Sequence, residues 1–320
     1  MKIPEKQNSL VNIIDQAHAD KTEPKRMHFG ASQAGHHCDR YLWLNFRWAV
    51  SEKFSGRMLR LFRRGQNEEA TIVDDLRLAG IDITEEDNNG HQYRVNFGNH
   101  ISGSMDGVIN SGVPGAPKAK HIAEFKTHSD KSFKLLCKDG VQKSKPMHYA
   151  QMQLYMMGAN IDRALYVAVN KNDDTYYTER FKLDQDFAEK VIERANRIVS
   201  SDRLPEPCQG ASPEWYLCKF CPAYSFCHSK PLITEVNCRT CSHATAKSDS
   251  TWHCERWQSE IPGEVQPDGC ESHVLHPDMV PFKFIDGDGI SAKYSNAGRE
   301  FWNGERGLKS IEILELEANA

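Results

Sequence analysis

The stretch that decides the fold is His100-Ile-Ser-Gly-Ser-Met-Asp106-Gly-Val-Ile109, followed, after a loop of Gly, Pro and Lys, by His121-Ile-Ala-Glu124-Phe-Lys126-Thr127. Both runs have β character, so the sequence predicts two strands, the first with a carboxylate in its middle. Side chains at i and i+2 of a strand lie on one side, so Glu124 and Lys126 project together. A paired strand can bring Asp106 beside them. Two carboxylates and one ammonium group can hold a hard divalent cation and position a water, which indicates metal-assisted phosphodiester hydrolysis.

Helices on both sides of this stretch add to the pattern. An Asp and a Glu-x-Lys also occur together by chance, and the simplest alternative is a hairpin with exposed charges. Tyr149-Ala-Gln151-Met-Gln153-Leu-Tyr155 predicts a helix that follows, with Gln151 and Tyr155 at i and i+4 on one face. Upstream, Arg64-Gly-Gln-Asn-Glu68-Glu69 opens a helical stretch that runs to about Gly80.

The order Gly-x3-Glu, Gly-x2-Asp, Glu-x-Lys and Gln-x3-Tyr resembles the PD-(D/E)XK nuclease superfamily, in its RecB-like and phage-exonuclease branch, over about residues 30–230. The resemblance implies an α/β fold with a restriction-endonuclease-like core, in which helices flank a mixed central sheet. It also implies roles for six positions: Asp106, Glu124 and the Phe125 carbonyl as metal ligands, Lys126 as the catalytic lysine, and Gln151 and Tyr155 as the helical motif after the core.

The acidic residue of the first helix departs from part of this family. Many RecB-like members have His there, whereas this chain has Glu68 or Glu69. The phage-exonuclease type has Glu four residues after Gly, which favours Glu69 as the residue that completes the metal site.

The function that the resemblance implies is that of a Mg²⁺- or Mn²⁺-dependent deoxyribonuclease. It would be an exonuclease acting on DNA with a free end, as used by phages or in recombination, repair or replication. Two alternatives stay open: a catalytically silent DNA-binding accessory protein of recombination or replication with the same fold, and a zinc-dependent interaction protein whose Glu-x-Lys is accidental. A recombinase, helicase or single-strand-binding protein as partner, and an oligomer, are compatible with the sequence.

Composition sets the broad class. The chain has 320 residues, a formal net charge of -4 and a mean hydropathy of -0.63. That length suffices for one α/β domain of about 200 residues and a smaller module. No run approaches the roughly 20 apolar residues of a membrane span, and the N-terminus lacks an apolar signal core, so we expect a cytoplasmic protein without membrane association.

Basic residues cluster in two places despite the acidic total. Four arginines, Arg57, Arg60, Arg63 and Arg64, share one side of the first long helix, and seven lysines between Lys118 and Lys145 flank the Glu-x-Lys strand. Ordinary solvated surface is the alternative for any one of them. For the clusters we expect phosphate contacts, because backbone charge dominates affinity for nucleic acids.

Ten cysteines without a secretion signal indicate metal rather than disulfides. Cys137 is predicted to be a buried thiol. Cys218, Cys221 and Cys227 form C-x2-C-x5-C, which can wrap one compact centre but lacks a fourth ligand; Cys208 is near and Cys38 is distant.

A narrower resemblance bears on that fourth ligand. The iron–sulfur branch of RecB-like nucleases, with AddB-type helicase–nucleases and CRISPR-associated RecB-like exonucleases, has one Cys before the nuclease core and three after it. This implies a [4Fe–4S] cluster on Cys38, Cys218, Cys221 and Cys227. A zinc site that uses Cys208 is the alternative.

The second cysteine set is Cys238, Cys241, Cys254 and Cys270, with the spacing C-x2-C-x12-C-x15-C. It suits a small tetrahedral Zn²⁺ site. A second iron centre, or a mixed set in which His243, His253 or His273 replaces a cysteine, is the alternative. Because all these ligands are close in sequence, we expect a self-contained module that folds on its own when it binds zinc.

These patterns predict four regions: a peripheral segment over 1–30, the RecB-like nuclease core closed by an iron–sulfur cluster over 31–230, a zinc-knot module over 231–275, and a tail over 276–320 that packs as strands and a turn.

Overall fold

The computed structural model describes residues 9–21, 24–50, 54–229, 232–233 and 235–318. The chain divides into two compact units. The first comprises Met1–Lys25, Glu52–Asn96 and Gly103–Glu189, and the second comprises Arg26–Ser51, Phe97–Ser102 and Lys190–Ala320. Residues 1–8 of the predicted peripheral segment, and the predicted boundary at residues 230 and 231, lie outside the described residues.

The α-helices of the described chain are α1 (Leu10–Ala19), α2 (Asp39–Phe46), α3 (Gly56–Leu78), α4 (Asp130–Ser144), α5 (Pro146–Ala159), α6 (Gln185–Val199), α7 (Tyr216–Lys219), α8 (Tyr224–His228) and α9 (Ser310–Ala318). The strands are β1 (Phe29–Gly30), β2 (Asp82–Thr84), β3 (Arg94–Asn96), β4 (Ile101–Ser104), β5 (Gly107–Ser111), β6 (His121–His128), β7 (Arg163–Asn170), β8 (Tyr176–Lys182), β9 (Ala244–Ala246), β10 (Trp252–Cys254), β11 (Ser259–Glu260), β12 (Lys283–Gly287), β13 (Ser291–Asn296) and β14 (Arg299–Gly304). None of the helices in these ranges is long and apolar enough to cross a membrane.

A five-stranded mixed sheet forms the centre of the first unit, with the order β2-β5-β6-β7-β8. Strands β6 and β7 are parallel, and the other neighbours are antiparallel. The parallel pair needs a crossover connection, which α4 and α5 supply. The predicted α/β fold, a mixed central sheet flanked by helices, is confirmed.

One face of this sheet packs against α3. Ile72 and Val73 of α3 join Phe125 of β6 and Val167 of β7 in one buried apolar cluster. Because strand side chains alternate between faces, Phe125 enters this core while Glu124 and Lys126 project from the opposite face. The predicted shared orientation of Glu124 and Lys126 therefore follows directly from the strand.

Helix α5 packs against β6 and β7 and is buried over most of its length. It begins with Pro146, whose missing N–H costs nothing at that position, and ends at Asn160 in the left-handed conformation. Its buried amide Gln153 donates to the Lys182 carbonyl at 3.1 Å and accepts from the Asp184 N–H at 2.8 Å. The amide nitrogen and the amide oxygen of this buried side chain therefore each have a hydrogen-bond partner.

Two local predictions are wrong. Asp106 lies not in the middle of a strand but at a bend between β4 and β5, because its carboxylate bonds a backbone N–H of the neighbouring strand instead of continuing the ladder. Cys137 is exposed rather than buried, because α4 turns Phe133, Leu136 and Val141 toward the interior instead.

In the second unit, β1 pairs in parallel with β4 through Phe29 and Ile101. Helix α2 buries five aromatic and aliphatic side chains, and its Trp43 donates to the Ser201 carbonyl at 2.8 Å. Two small antiparallel sheets follow, β9–β10–β11 and β12–β13–β14. The tail contains the predicted strands and turns and also ends in the helix α9.

The cysteine-rich segment of this unit packs against residues near the start of the unit. Arg239 is 1% exposed and donates to the backbone carbonyls of Phe46 and Met27 at 3.1 and 2.8 Å. Trp252 packs on the Phe46 ring, with 5.2 Å between the ring centroids. Its interior side chains therefore fill a core shared with residues 26–48, and independent folding of the segment with zinc stays a prediction.

Candidate active site

Asp106 is held beside β6 by a backbone hydrogen bond. Its Oδ2 atom accepts from the Phe125 N–H at 2.7 Å. Strands β5 and β6 pair from Gly107 and Ala123 onward, so Asp106 takes the place of the next ladder partner. This bond brings the two acidic positions of the motif together although they are distant in sequence.

The Lys126 ammonium group lies among the three expected metal ligands. It forms an ion pair with Glu124, donates to the Phe125 carbonyl at 2.9 Å, and lies 3.9 Å from Asp106 Oδ2. The Glu124 side chain is fully buried, whereas those of Lys126 and Asp106 are 27% and 14% exposed. The site is thus a small cluster of oxygens around one cation, partly open at Lys126 and Asp106 and closed at Glu124.

Burial and mutual attraction compete in this cluster. Burial raises the pKa of Glu124, and the Lys126 charge opposes that rise. Burial alone would lower the pKa of Lys126, but the attraction of Glu124 and Asp106 outweighs it and raises that pKa. The ammonium therefore stays charged, and it compensates carboxylates that would be costly to bury alone.

Gln151 of α5 binds the second oxygen of Glu124, and Tyr155 contacts Gln151. The Gln151 Nε2 group donates to Glu124 Oε2 at 3.1 Å and to the Tyr155 hydroxyl at 3.2 Å. Burial raises the pKa of Tyr155, so the phenol stays neutral. The two oxygens of Glu124 are therefore divided, one to the Gln151 amide and one to the Lys126 ammonium.

Glu69 of α3 faces the same cluster. Burial and then repulsion by Asp106 raise its pKa to about 7, while Lys126 lowers it. The charge of the neighbouring Glu68 instead contributes to the raised pKa of Tyr176 in β8. Of the two glutamates between which the sequence had to choose, Glu69 is the one whose carboxyl interacts with Asp106 and Lys126.

A histidine pair behind Lys126 was missed from the sequence. The Tyr166 hydroxyl lies 2.9 Å from His128 Nε2 and 3.0 Å from His148 Nδ1. Burial lowers the pKa of His128 to about 4 and that of His148 to about 3, so both rings are neutral. The sequence could have indicated His128, because it is at i+2 from Lys126 on the same face of β6. No sequence pattern pointed to His148 or Tyr166.

The donor set suits a hard divalent cation. As they are placed, no three Asp, Glu, His or Cys side chains in the described ranges are grouped closely enough to hold a metal ion. The cation at the centre is instead the ammonium group of Lys126, which is paired with Glu124, donates to the Phe125 carbonyl and lies 3.9 Å from Asp106. These are oxygen ligands of the type that Mg²⁺ and Mn²⁺ prefer, so Asp106, Glu124 and the Phe125 carbonyl fit such an ion once Lys126 turns aside.

The first cysteine set converges on one cavity in the second unit. Cys38, Cys208, Cys218, Cys221 and Cys227 all line it. Cys208 forms a thiol hydrogen bond with Cys38, and burial is the main cause that raises its pKa to about 12. Five cysteines therefore line one cavity, which Cys38 reaches from a segment far upstream of the other four.

The second cysteine set lines another cavity. Its walls include Cys238, Cys241, Cys254 and Cys270, together with His243 and His273. All four predicted cysteines are thus gathered at one place.

The basic residues are partly paired. On α3, Arg60 forms a 2.9 Å ion pair with Asp15, and Arg64 donates to the Lys171 carbonyl at 3.3 Å. On α4, Lys131, Lys134 and Lys138 line an open concavity together with Lys145. Four of the seven lysines of the predicted cluster therefore line one concavity.

Comparison of the sequence with protein-family models gives no match, and comparison with curated proteins gives none either. Solved structures that align in part include two exonucleases and SSO0001. An alkaline exonuclease, LHK-Exo, from Laribacter hongkongensis has a TM-score of 0.37 and 17% identity, over 55% of this chain and 87% of its own. SSO0001 has a TM-score of 0.38 and 15% identity, over 70% and 98%. A phage-related exonuclease from Haemophilus somnus 129PT has a TM-score of 0.31 and 20% identity, over 42% and 67%. With every score below 0.5, the site's own geometry, rather than these structures, carries the functional assignment.

Proposed function

We propose that this protein is a metal-dependent deoxyribonuclease that hydrolyses phosphodiester bonds at DNA ends. The observation that carries the proposal is the cluster of Asp106, Glu124 and the Phe125 carbonyl around the Lys126 ammonium. Three oxygen ligands and one cationic donor in a partly open site are the groups that metal-assisted phosphodiester hydrolysis requires.

Asp106, Glu124 and the Phe125 carbonyl would hold Mg²⁺ or Mn²⁺, with Glu69 completing the site directly or through a water. When bound, the metal supplies Lewis-acid neutralisation of the charge that develops on the phosphate and the leaving oxygen. The released Lys126 ammonium then has donors for the attacking water or a phosphate oxygen. Gln151 keeps the buried Glu124 carboxylate in one orientation, and Tyr155 supports that amide.

The basic concavity on α4 gives the DNA a path to the site. Lys131, Lys134, Lys138 and Lys145 can contact successive phosphates without reading bases. A sequence-independent grip suits an enzyme that digests from an end, and it would make binding weaken as salt rises.

Digestion of end-labelled single- and double-stranded DNA with Mg²⁺, Mn²⁺ or a chelator tests the proposal. We expect progressive shortening from ends with either metal and none with chelator. Lys126→Ala should lower the rate by about 10²–10⁴-fold while DNA binding stays nearly intact, because it removes a donor that acts on the reacting groups. Lys190→Ala, which changes an exposed lysine of α6 outside both basic clusters, is the control and should cleave normally.

Two outcomes would reject this function. Wild-type rates from Lys126→Ala would remove the catalytic assignment. Tight DNA binding with no digestion under any metal condition would instead support the catalytically silent accessory protein.

We also propose that Cys38, Cys218, Cys221 and Cys227 hold a [4Fe–4S] cluster. The support is their shared cavity, which Cys38 enters from a segment far upstream in the chain. Cys208 lines the same cavity and is the competing fourth ligand, either for the cluster or for a zinc ion. The cluster would be structural, since it would tie α2 to the α7–α8 region of the second unit.

A further inference from the structure

The four cysteines of the second set reach one cavity from four different positions of the fold. Cys238 opens a 3₁₀ helix over Cys238–Thr240, and Cys241 follows it directly. Cys254 ends β10, and Cys270 lies in the loop that precedes His273. All four line the same cavity. In the described residues no three such side chains are close enough to hold an ion as placed, so closing the four around one requires side-chain rotation.

Two backbone N–H groups point at the sulfur of Cys241. Its buried Sγ atom accepts backbone N–H groups from His243 at 3.5 Å and from Val274 at 3.4 Å. Both donors oppose the rise in pKa that burial imposes on the Cys241 thiol, and both can stay bonded to its sulfur when a metal is bound. An apolar core role for this cysteine would not need either donor.

The three nearby histidines differ in availability. His273 has both ring nitrogens engaged, with Thr240 Oγ1 at 3.2 Å and Ser310 Oγ at 2.8 Å. His253 lies 3.9 Å from Glu255 and does not line the cavity. His243 lines the cavity, and its buried Nε2 atom has no hydrogen-bond partner. His243 is therefore the one histidine of the three that could compete with the cysteines for a metal ion.

Arg239 connects this cavity to the start of the second unit. It lies between Cys238 and Cys241, and its guanidinium carbon is 3.8 Å from the centroid of the Trp48 ring. Arg239 donates to the Phe46 and Met27 carbonyls. In the opposite direction, Arg47 donates to the Ala244 carbonyl at 3.3 Å. The loop that presents two of the four sulfurs thus fixes the position of residues 27–48.

We propose that Cys238, Cys241, Cys254 and Cys270 bind one Zn²⁺ ion and that this ion, through Arg239, keeps α2 and its flanking residues folded. Four thiolates make a closed tetrahedral site without an open position, which is the structural rather than the catalytic type. The loop carries the buried Arg239 next to Cys238, so metal binding there would add directly to the folding energy of this region. Because Cys38 directly precedes α2, loss of zinc also disturbs the other cysteine cavity.

Metal analysis of the full-length protein tests the ligand set. We expect about one zinc per chain, and X-ray absorption at the zinc edge should show four sulfurs at about 2.3 Å. Three sulfurs and one nitrogen would overturn the four-cysteine assignment in favour of His243, and a folded protein without zinc would overturn the site altogether. Neither measurement depends on a variant that folds, or on nuclease activity.

Variants then test the residues and the coupling. Cys254→Ser and Cys270→Ser should each lose the zinc, whereas His253→Ala, next to Cys254 but outside the cavity, should keep it. In the zinc-free variants, amide hydrogen exchange over Asp39–Phe46 should accelerate at least tenfold, while exchange in β6 and β7 stays unchanged. Zinc retained in both Cys→Ser variants would reject the ligands, and zinc lost without faster exchange in α2 would reject the role of Arg239.

Discussion

Asp106 combines two tasks at the scale of one residue, because its carboxylate accepts the Phe125 N–H and also faces the Lys126 ammonium. Asp106→Asn keeps an oxygen for the Phe125 N–H but removes the charge. We expect a folded protein whose Mn²⁺ affinity falls at least about tenfold, since even indirect partners of a metal cost that much when lost. Calorimetric titration measures this. Equal Mn²⁺ affinity in Asp106→Asn and the wild type would contradict a site built on Asp106.

Tyr166 is also a residue on which several partners depend. Its fully buried hydroxyl lies between the rings of His128 and His148. Tyr166→Phe leaves both imidazoles with an unpaired nitrogen, so we expect a loss of about 1–3 kcal/mol in the free energy of unfolding. Urea denaturation measures it. The control is Tyr176→Phe, which removes a single hydrogen bond from a hydroxyl to the exposed Asp75 carboxylate. It should lower the free energy of unfolding by less than about 1 kcal/mol. If the two changes lowered the free energy of unfolding equally, the bonds of Tyr166 to His128 and His148 would stabilise the fold no more than an exposed hydroxyl bond does.

At the scale of elements, α1 depends on one glycine of α3. None of the α1 side chains is buried, and a Cβ atom at Gly56 would overlap the Asp15 backbone of α1. Gly56→Ala should therefore displace α1 and cost about 1–3 kcal/mol. Hydrogen exchange over Leu10–Ala19 should accelerate in this variant, because the helix has little else to hold it.

The matched control is another glycine in the same helix. A Cβ atom at Gly65 would lie 3.5 Å from Thr127 Oγ1, an ordinary contact. Gly65→Ala should stabilise α3 by about 0.5–1 kcal/mol, because alanine loses less backbone entropy in a helix. Unchanged hydrogen exchange of α1 in Gly56→Ala would show that α1 does not depend on the contact at Gly56. Destabilisation by Gly65→Ala would show that a methyl group is not tolerated beside Thr127.

At the scale of the whole molecule, the two cysteine sets should give separate metals. We expect about four irons beside one zinc, and a brown protein when it is purified without oxygen. Cys38→Ser should remove the iron and destabilise the second unit, whereas Cys208→Ser should do neither. Iron analysis and thermal melting measure both. If Cys208→Ser loses the metal and Cys38→Ser keeps it, the cluster assignment is wrong and a site on the four downstream cysteines is right.

The sequence by itself determined the parts that depend on local periodicity. A two-residue repeat places Glu124 beside Lys126, a four-residue repeat places Gln151 beside Tyr155, and cysteine spacing groups the four residues of the second set. The tertiary structure alone decided what depends on distant segments meeting. It set Asp106 at a bend against the Phe125 N–H, placed Tyr166 between two histidines, added Cys208 to the Cys38 cavity and buried Arg239 against Phe46. The physical reason is that side-chain direction within a strand or helix follows from backbone geometry. The partner that satisfies a buried polar group is whichever segment packing brings within hydrogen-bond distance.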